Sequence, residues 1–265
     1  MELNQSLKTV LKRLRLSGVL HTLPERVAYA KKANLCEQEF LELVLQDEID
    51  RREQTTLALR LDKARCDADH TFENFDWDAP VTFDRDRVRG LFSLAFIAKK
   101  EDIIFMGPVG VGKTMLADAL GHAACRAGKN VLSIRADIML KTIHQSRADN
   151  STDKVMRSFI AQDLLIIDDF GLRRLDERQS SDFYEIIIER HRRASTIVTS
   201  NRHVEEWVPL FTDPILAQSA LDRFAHNAHQ IVMEGDTYRP RKGPNALQQH
   251  QKKGKKTKKQ QAVEN

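Results

Sequence analysis

The chain has 265 residues, 41% of them hydrophobic, which suffices for one sizeable α/β domain plus a smaller element. No stretch approaches the roughly eighteen uninterrupted apolar residues that span a bilayer, and the opening MELNQSLKTVLKRLRL lacks a signal peptide's apolar core, so a cytoplasmic protein without a membrane partner is expected. The net charge of +4 is uneven: residues 239–265 carry nine Lys or Arg against Glu264 alone, leaving −4 on the remainder.

The N-terminal part reads as helical, with Leu3, Leu7, Val10, Leu11 and Leu14 sharing a face before Gly18 interrupts the pattern. A second short helix follows Pro24. A longer one is expected from Glu37 to Ala64, with Phe40, Leu41, Val44, Leu45 and Ile49 as its apolar stripe. These helices form a small all-α domain, residues 1–66, suited to partner, DNA or self-association. Residues 67–88 show neither helical nor strand periodicity and read as a linker that docks by Phe72, Phe75, Trp77 and Phe83.

From residue 89 to 243 short apolar runs alternate with amphipathic helices, the pattern of a parallel sheet covered on both faces. The expected strands are Asp102 to Met106, Val131 to Ile134, Leu164 to Asp168, Thr196 to Thr199 and Gln230 to Met233. The expected helices are Thr114 to Ala127, Ala136 to Ala148, Asp153 to Ile160, Gln179 to Arg193 and Ile215 to Ala225, with Gly128 as a C-cap. Residues 244–265 form a disordered basic tail, with too little apolar surface to fold alone but fit to neutralise phosphates; a purely solubilising tail is the alternative. Cys36, Cys66 and Cys125 form no C-x-x-C pair and read as buried free thiols.

Directly after the first strand comes Gly107-Pro108-Val109-Gly110-Val111-Gly112-Lys113-Thr114, which satisfies G-x-x-x-x-G-K-[ST] in the strand-loop-helix setting its chemistry demands. Glycines let backbone N–H groups surround a β-phosphate, and the following helix adds its positive end. Lys113 is assigned to the β- and γ-phosphates of ATP and Thr114 to magnesium. Met115, next on the helix, completes the nucleotide-binding set. Leu164-Leu165-Ile166-Ile167-Asp168-Asp169 supplies the acid that a nucleotide hydrolase needs at a neighbouring strand end: Asp168 for magnesium, Asp169 to polarise the attacking water. Asp169 is shorter than the Glu often found there, which points to slow hydrolysis. Asn201, after the strand ending at Thr199, is assigned to sensing the γ-phosphate and the lytic water. Arg223 is the candidate arginine finger and Arg239 a second sensor; a surface salt bridge explains either arginine nearly as well.

These motifs in this order, with Thr199-Ser200-Asn201, Asp222-Arg223 and Gly235-Asp236-Thr237-Tyr238-Arg239, give a chain that resembles the IstB and DnaC branch of the AAA+ ATPases over nearly its whole length. Phe72-Glu73-Asn74-Phe75-Asp76-Trp77 is similar to the linker of IstB-type proteins, whereas Val111 stands where such loops often carry Thr, and Thr237 where Ser is usual. The resemblance implies an α/β fold, a P-loop AAA+ domain with a parallel sheet flanked by helices behind a small all-α domain. It also implies a magnesium-dependent ATPase that assembles on double-stranded DNA, as a homo-oligomer with ATP at the subunit interface, and stimulates a partner insertion-sequence transposase. The alternative partner is a replicative helicase, served by a DnaC-like loader. A small-molecule P-loop kinase fits the Asn201 strand end and the basic tail less well, and a DNA scaffold that binds nucleotide but hardly turns it over stays open.

Lys141, His144 and Arg147 are candidate DNA-facing residues, equally explained by a solvated helix face; Lys8, Lys12, Arg13 and Arg15 form a second basic patch. No base-reading motif is visible, so DNA binding is expected to be largely sequence-independent and salt-sensitive.

Overall fold

The structure is a computed structural model that describes residues 4–235; Asp236 to Arg239 and the basic tail, with the expectations placed on them, lie outside the described residues. Two compact units divide between Asp62 and Lys63.

The first unit is helical: α1 (Gln5–Arg13), α2 (Ser17–Ala33) and α3 (Glu37–Ala64), the last with the expected bounds and continuing past the division. The Asn4 side chain caps α1 by accepting from the Ser6 N–H at 3.0 Å. The chain breaks after α1 at Arg15, which adopts φ 57°, and not at Gly18. Gly18 lies inside α2, where its N–H donates to Glu48 at 2.6 Å and an added Cβ would stand 2.7 Å from the same carboxylate. Close approach to Glu48 therefore explains that glycine. Pro24 also lies within α2, so a separate helix after it does not exist. The expected apolar faces are mostly unburied: Leu11, Val19, Leu23 and Val44 form the core, while Leu7, Val10, Leu14, Leu41, Leu45 and Ile49 are exposed.

The second unit contains β1 (Val81–Thr82), α4 (Arg85–Leu91), α5 (Ala95–Lys99), β2 (Asp102–Met106), α6 (Lys113–Arg126), β3 (Val131–Arg135), α7 (Ala136–Ser146), α8 (Thr152–Ile160), β4 (Leu164–Phe170), α9 (Glu177–Arg190), β5 (Ser195–Ser200), α10 (Pro214–His226), β6 (Ala228–Val232) and β7 (Glu234–Gly235). Five parallel strands order β3-β4-β5-β2-β6. Their central members β2 and β5 are buried at every residue, because helices cover both faces of a parallel sheet. β6 starts two residues earlier than expected, since the Asn227 carbonyl already accepts from the Asp102 N–H and sets the register Asp102 to Ala228.

Residues 67–88 are not structureless. β1 pairs antiparallel with β7, and α4 begins inside the segment; a two-residue strand is too short to leave a periodic signal. The expected aromatic docking takes the form of a cluster, with Phe75 buried, Phe72 and Phe75 centred 5.1 and 4.9 Å from Trp77, and the Arg89 guanidinium 4.9 Å over the Trp77 ring. Of the three free cysteines only Cys125 is buried; Cys66 is half-buried and Cys36 exposed, which corrects the expectation. Among the described residues no helix is long and apolar enough to cross a membrane.

Candidate functional site

The chain leaving β2 must reverse into α6 within six residues, and Gly107, Gly110 and Gly112 do so with φ of 143°, 87° and 102°. A Cβ on Gly107 would collide with the Met233 carbonyl, and one on Gly112 would stand 3.1 Å from the Phe75 ring. Pro108 and Val109 form the exposed tip of the loop, while Val111 and Met115 turn into the core. The Lys113 ammonium, nearly enclosed, donates to the carbonyls of Gly107 (2.8 Å) and Pro108 (2.7 Å) and to Asn201 Oδ1 (2.7 Å). Lys113 and Asn201, 88 positions apart, thus meet at the C-terminal ends of β2 and β5.

The two acids of β4 sit in a β-bulge. Ile167 pairs with Val198 and Phe170 with Ser200, so Asp168 and Asp169 together oppose Thr199. The Thr199 hydroxyl donates to Asp168 Oδ1 and accepts from the Asp169 N–H at 2.9 Å, and the Thr114 hydroxyl reaches the same Asp168 oxygen at 2.9 Å. Asp169 takes φ 57°, a conformation that Asp tolerates better than most side chains. Burial pushes the Asp168 carboxyl above its ordinary pKa, against the hydrogen bonds from Thr199 and Thr114; the neighbouring Asp169 and Asp118 push it the same way. A buried carboxylate that forms no ion pair among the described residues, with a hydroxyl on the same oxygen, is a donor set that fits magnesium, a hard cation bound through one or two protein oxygens plus phosphate. Thr199 entered the sequence reading as a strand residue and as the start of Thr199-Ser200-Asn201, with no role of its own; a polar side chain one turn of the pleat before Asn201 in an apolar run was its signal. Phe75 was expected to dock as a linker aromatic, but nothing in the sequence placed it beside Gly112.

Arg223 is not gathered into this corner. It is exposed on the last turn of α10, four residues before Asn227, whose amide donates to Asp102 Oδ2 at 3.0 Å. Asp102 begins β2 and the phosphate loop follows its end, so the length of the strand, roughly 15 Å at about 3.3 Å per residue, lies between them. Arg239 lies outside the described residues. Arg147 pairs with Asp182 at 2.5 Å, a buried carboxylate that raises the guanidinium's pKa by hydrogen bonding, and is therefore committed to packing. Lys141 and His144 stay exposed on α7, as do Lys12, Arg13 and Arg15 in the first unit, while Lys8 is half-buried.

A further network anchors the segment before the aromatic cluster onto α6. Asp118, buried, accepts from His70 Nδ1 (2.8 Å), the Ser133 hydroxyl (2.9 Å) and the Asp67 N–H (3.3 Å), and Cys66 packs where a side chain on Gly121 would clash. The helix that starts with Lys113 is thereby tied to β3 and to residues 66–70.

Comparison with known proteins agrees with this architecture. The family model described as IstB-like ATP binding protein matches residues 9–246. A Mycobacterium tuberculosis (strain ATCC 25618 / H37Rv) protein, named for ATP binding in an insertion sequence, is 39% identical over 240 residues, covering 90% of this chain and 96% of its own. A Pseudomonas aeruginosa protein, named for ATP binding in insertion sequence IS21, is 34% identical over 233 residues, 88% of each chain. Among solved structures, the replication initiator DnaA bound to AMPPCP and single-stranded DNA superposes with a TM-score of 0.55 at 22% identity, covering 65% of this chain and 52% of that one, a likeness of fold. With a P-loop whose lysine meets a strand-end asparagine, and a family match over nearly all of its length, this chain belongs to the IstB-like ATP-binding proteins.

Proposed function

We propose that the protein is an ATP-hydrolysing helper of transposition, which assembles on duplex DNA as a homo-oligomer and stimulates the transposase of its insertion sequence. The observation that carries the catalytic part is the convergence of Lys113 with Asn201 and of Thr114 with Asp168 at neighbouring strand ends. The loop from Gly107 to Gly112 offers its N–H groups to the phosphates, and Lys113 neutralises the β- and γ-phosphate oxygens. Thr114 and Asp168 would hold magnesium, which would neutralise charge on the phosphates. Asp169 orients and polarises the attacking water, its short side chain favouring slow turnover, and Asn201 contacts the γ-phosphate. Arg223, a strand length from its own loop, supplies a positive charge to a neighbour's γ-phosphate, worth about 10³ to 10⁵ in rate where such fingers act. The names of the insertion-sequence relatives support the transposase as partner.

The test is ATP hydrolysis by the full chain with and without nonspecific duplex DNA, with particle size followed by light scattering. DNA stimulation and ATP-dependent assembly are expected; Arg223→Ala should lose most turnover while keeping nucleotide affinity, and Lys113→Ala should abolish both turnover and affinity. Hydrolysis and size indifferent to DNA would sink the reading.

A further inference from the structure

At the end of the sheet away from the phosphate loop, a cleft of about 280 Å³ is lined by His191, Arg192, Asp222, Arg223, His226 and Asn227. That is below the roughly 300–1,000 Å³ of a site for a whole drug-sized ligand, and it suits a phosphate tail better than an entire nucleotide. We propose that Arg192 joins Arg223 in a two-cation clamp on the triphosphate of a nucleotide held by a second copy of this chain, so that turnover requires both arginines of one subunit. This rests on the reading of Arg223 as a contact across a subunit interface.

Three observations carry the assignment. First, Arg192 follows the end of α9 with φ 58°, a left-handed conformation that glycine adopts freely and arginine does not, so an arginine stands where the backbone favours glycine. Second, among the described residues neither Arg192 nor Arg223 pairs with a carboxylate. The neighbouring Arg193 is held by Glu189 at 2.8 Å, and the acid of the cleft, Asp222, accepts from Gln218 one turn back at 2.7 Å. Third, His191 Nδ1 is buried without a hydrogen-bond partner. Burial, with Arg192 and Arg223 nearby, lowers the pKa of that ring and favours its neutral form. A neutral ring adds no charge to the cleft, so Arg192 and Arg223 supply its cations.

A competing explanation is that Arg192 and Arg223 merely offset the negative ends of α9 and α10. The two accounts differ in what Arg192→Gly does. A helix-end cation, once removed, lowers stability and leaves turnover alone. A phosphate clamp, replaced by glycine, relieves the backbone and leaves the melting temperature unchanged or raised, while DNA-stimulated kcat falls about 10- to 100-fold, as expected for one charged hydrogen bond, with nucleotide affinity unchanged. Arg192→Ala should fall likewise in kcat.

The decisive measurement mixes full-length variants. Arg192→Gly keeps a sound phosphate loop, and Lys113→Ala keeps a sound cleft; each is low alone, and the mixture should regain turnover well above their sum. The same mixture with Arg223→Ala in place of Arg192→Gly is the control for the interface. Recovery with Arg223→Ala but not with Arg192→Gly, or near-normal turnover in Arg192→Gly alone, overturns the clamp and leaves the interface standing. Failure of both mixtures overturns the interface and the clamp together.

Discussion

The sheet unit and the helical unit treat their apolar residues in opposite ways. In the former, β2, β4 and β5 bury nearly every side chain between two helical layers, and the phosphate loop inherits that rigidity. In the latter, four buried aliphatics share their core with a charged residue, Glu48, while six large aliphatics of α1 and α3 face outward. Similar apolar spacing therefore leads to a packed layer in one unit and to an open face in the other, because burial depends on a second layer to pack against. The sheet unit is expected to hold most of the chain's stability and the helical unit to open first.

The comparison is sharpest at Ile166 and Leu45. Ile166 is fully buried at the middle of β4, with its Cδ1 in the space that a side chain on Gly121 of α6 would occupy. Ile166→Ala should cost about 4 kcal/mol, lowering the denaturant midpoint of the sheet unit, whereas Leu45→Ala, on an exposed face, should stay within about 0.5 kcal/mol. Equal losses at the two positions would erase the contrast.

What was legible in the sequence follows the same division. The P-loop is contiguous, and its chemistry fixes its neighbours, so strand, loop and helix could be placed together. Buried parallel strands announce themselves as unbroken apolar runs, and all five expected ones differ from the structure by at most two residues at either end. β6 departs most at its start, where a hydrogen bond from Asp102 and not hydropathy sets the bound. What stayed hidden depends on contacts distant in sequence. The bulge that turns Asp168 and Asp169 toward Thr199, the β1–β7 pair, and the Arg147–Asp182 bridge that removes Arg147 from the candidate DNA surface leave no local signature. In the helical unit, Gly18 looked like a break because its partner Glu48 lies thirty positions on.

The lower edge of the sheet carries a charge that works against its packing. Asp102 is buried beneath β5 and β6, accepting from the Thr196 N–H at 2.7 Å and the Asn227 amide at 3.0 Å, and burial pushes its pKa up to about 6 from an ordinary 3.8. Nearby Arg190 donates to Thr196 and to backbone carbonyls, its own pKa lowered by burial to about 10. Because the folded state holds the Asp102 proton more tightly than the unfolded state, its contribution is complete below about pH 4 and is lost as pH rises through about 6. That loss amounts to at most about 3 kcal/mol at 1.36 kcal/mol per unit. Measured against Asp102→Asn, wild type should lose relative stability between about pH 4 and 7.5. A difference that does not vary with pH would place the proton elsewhere.

Glu48 gives the opposite sign in the other unit. Its carboxylate accepts from Arg51 and Arg52, each at 2.8 Å, and from the Gly18 N–H, and these bonds, that from Arg51 foremost, hold its pKa down to about 2 against an ordinary 4.5. The stabilisation is present above about pH 4.5 and disappears as pH falls toward 2. Both arginine partners are more than a third exposed, so water screens the pair. Glu48→Gln should accordingly cost only about 1–2 kcal/mol at neutral pH, confined to residues 4–62 and visible as faster amide exchange there with the sheet unchanged. The wild-type advantage should shrink steadily with acidification. An advantage that persists at low pH would mean that Glu48 acts by filling space beside Gly18, so that shape, and not charge, joins α2 to α3.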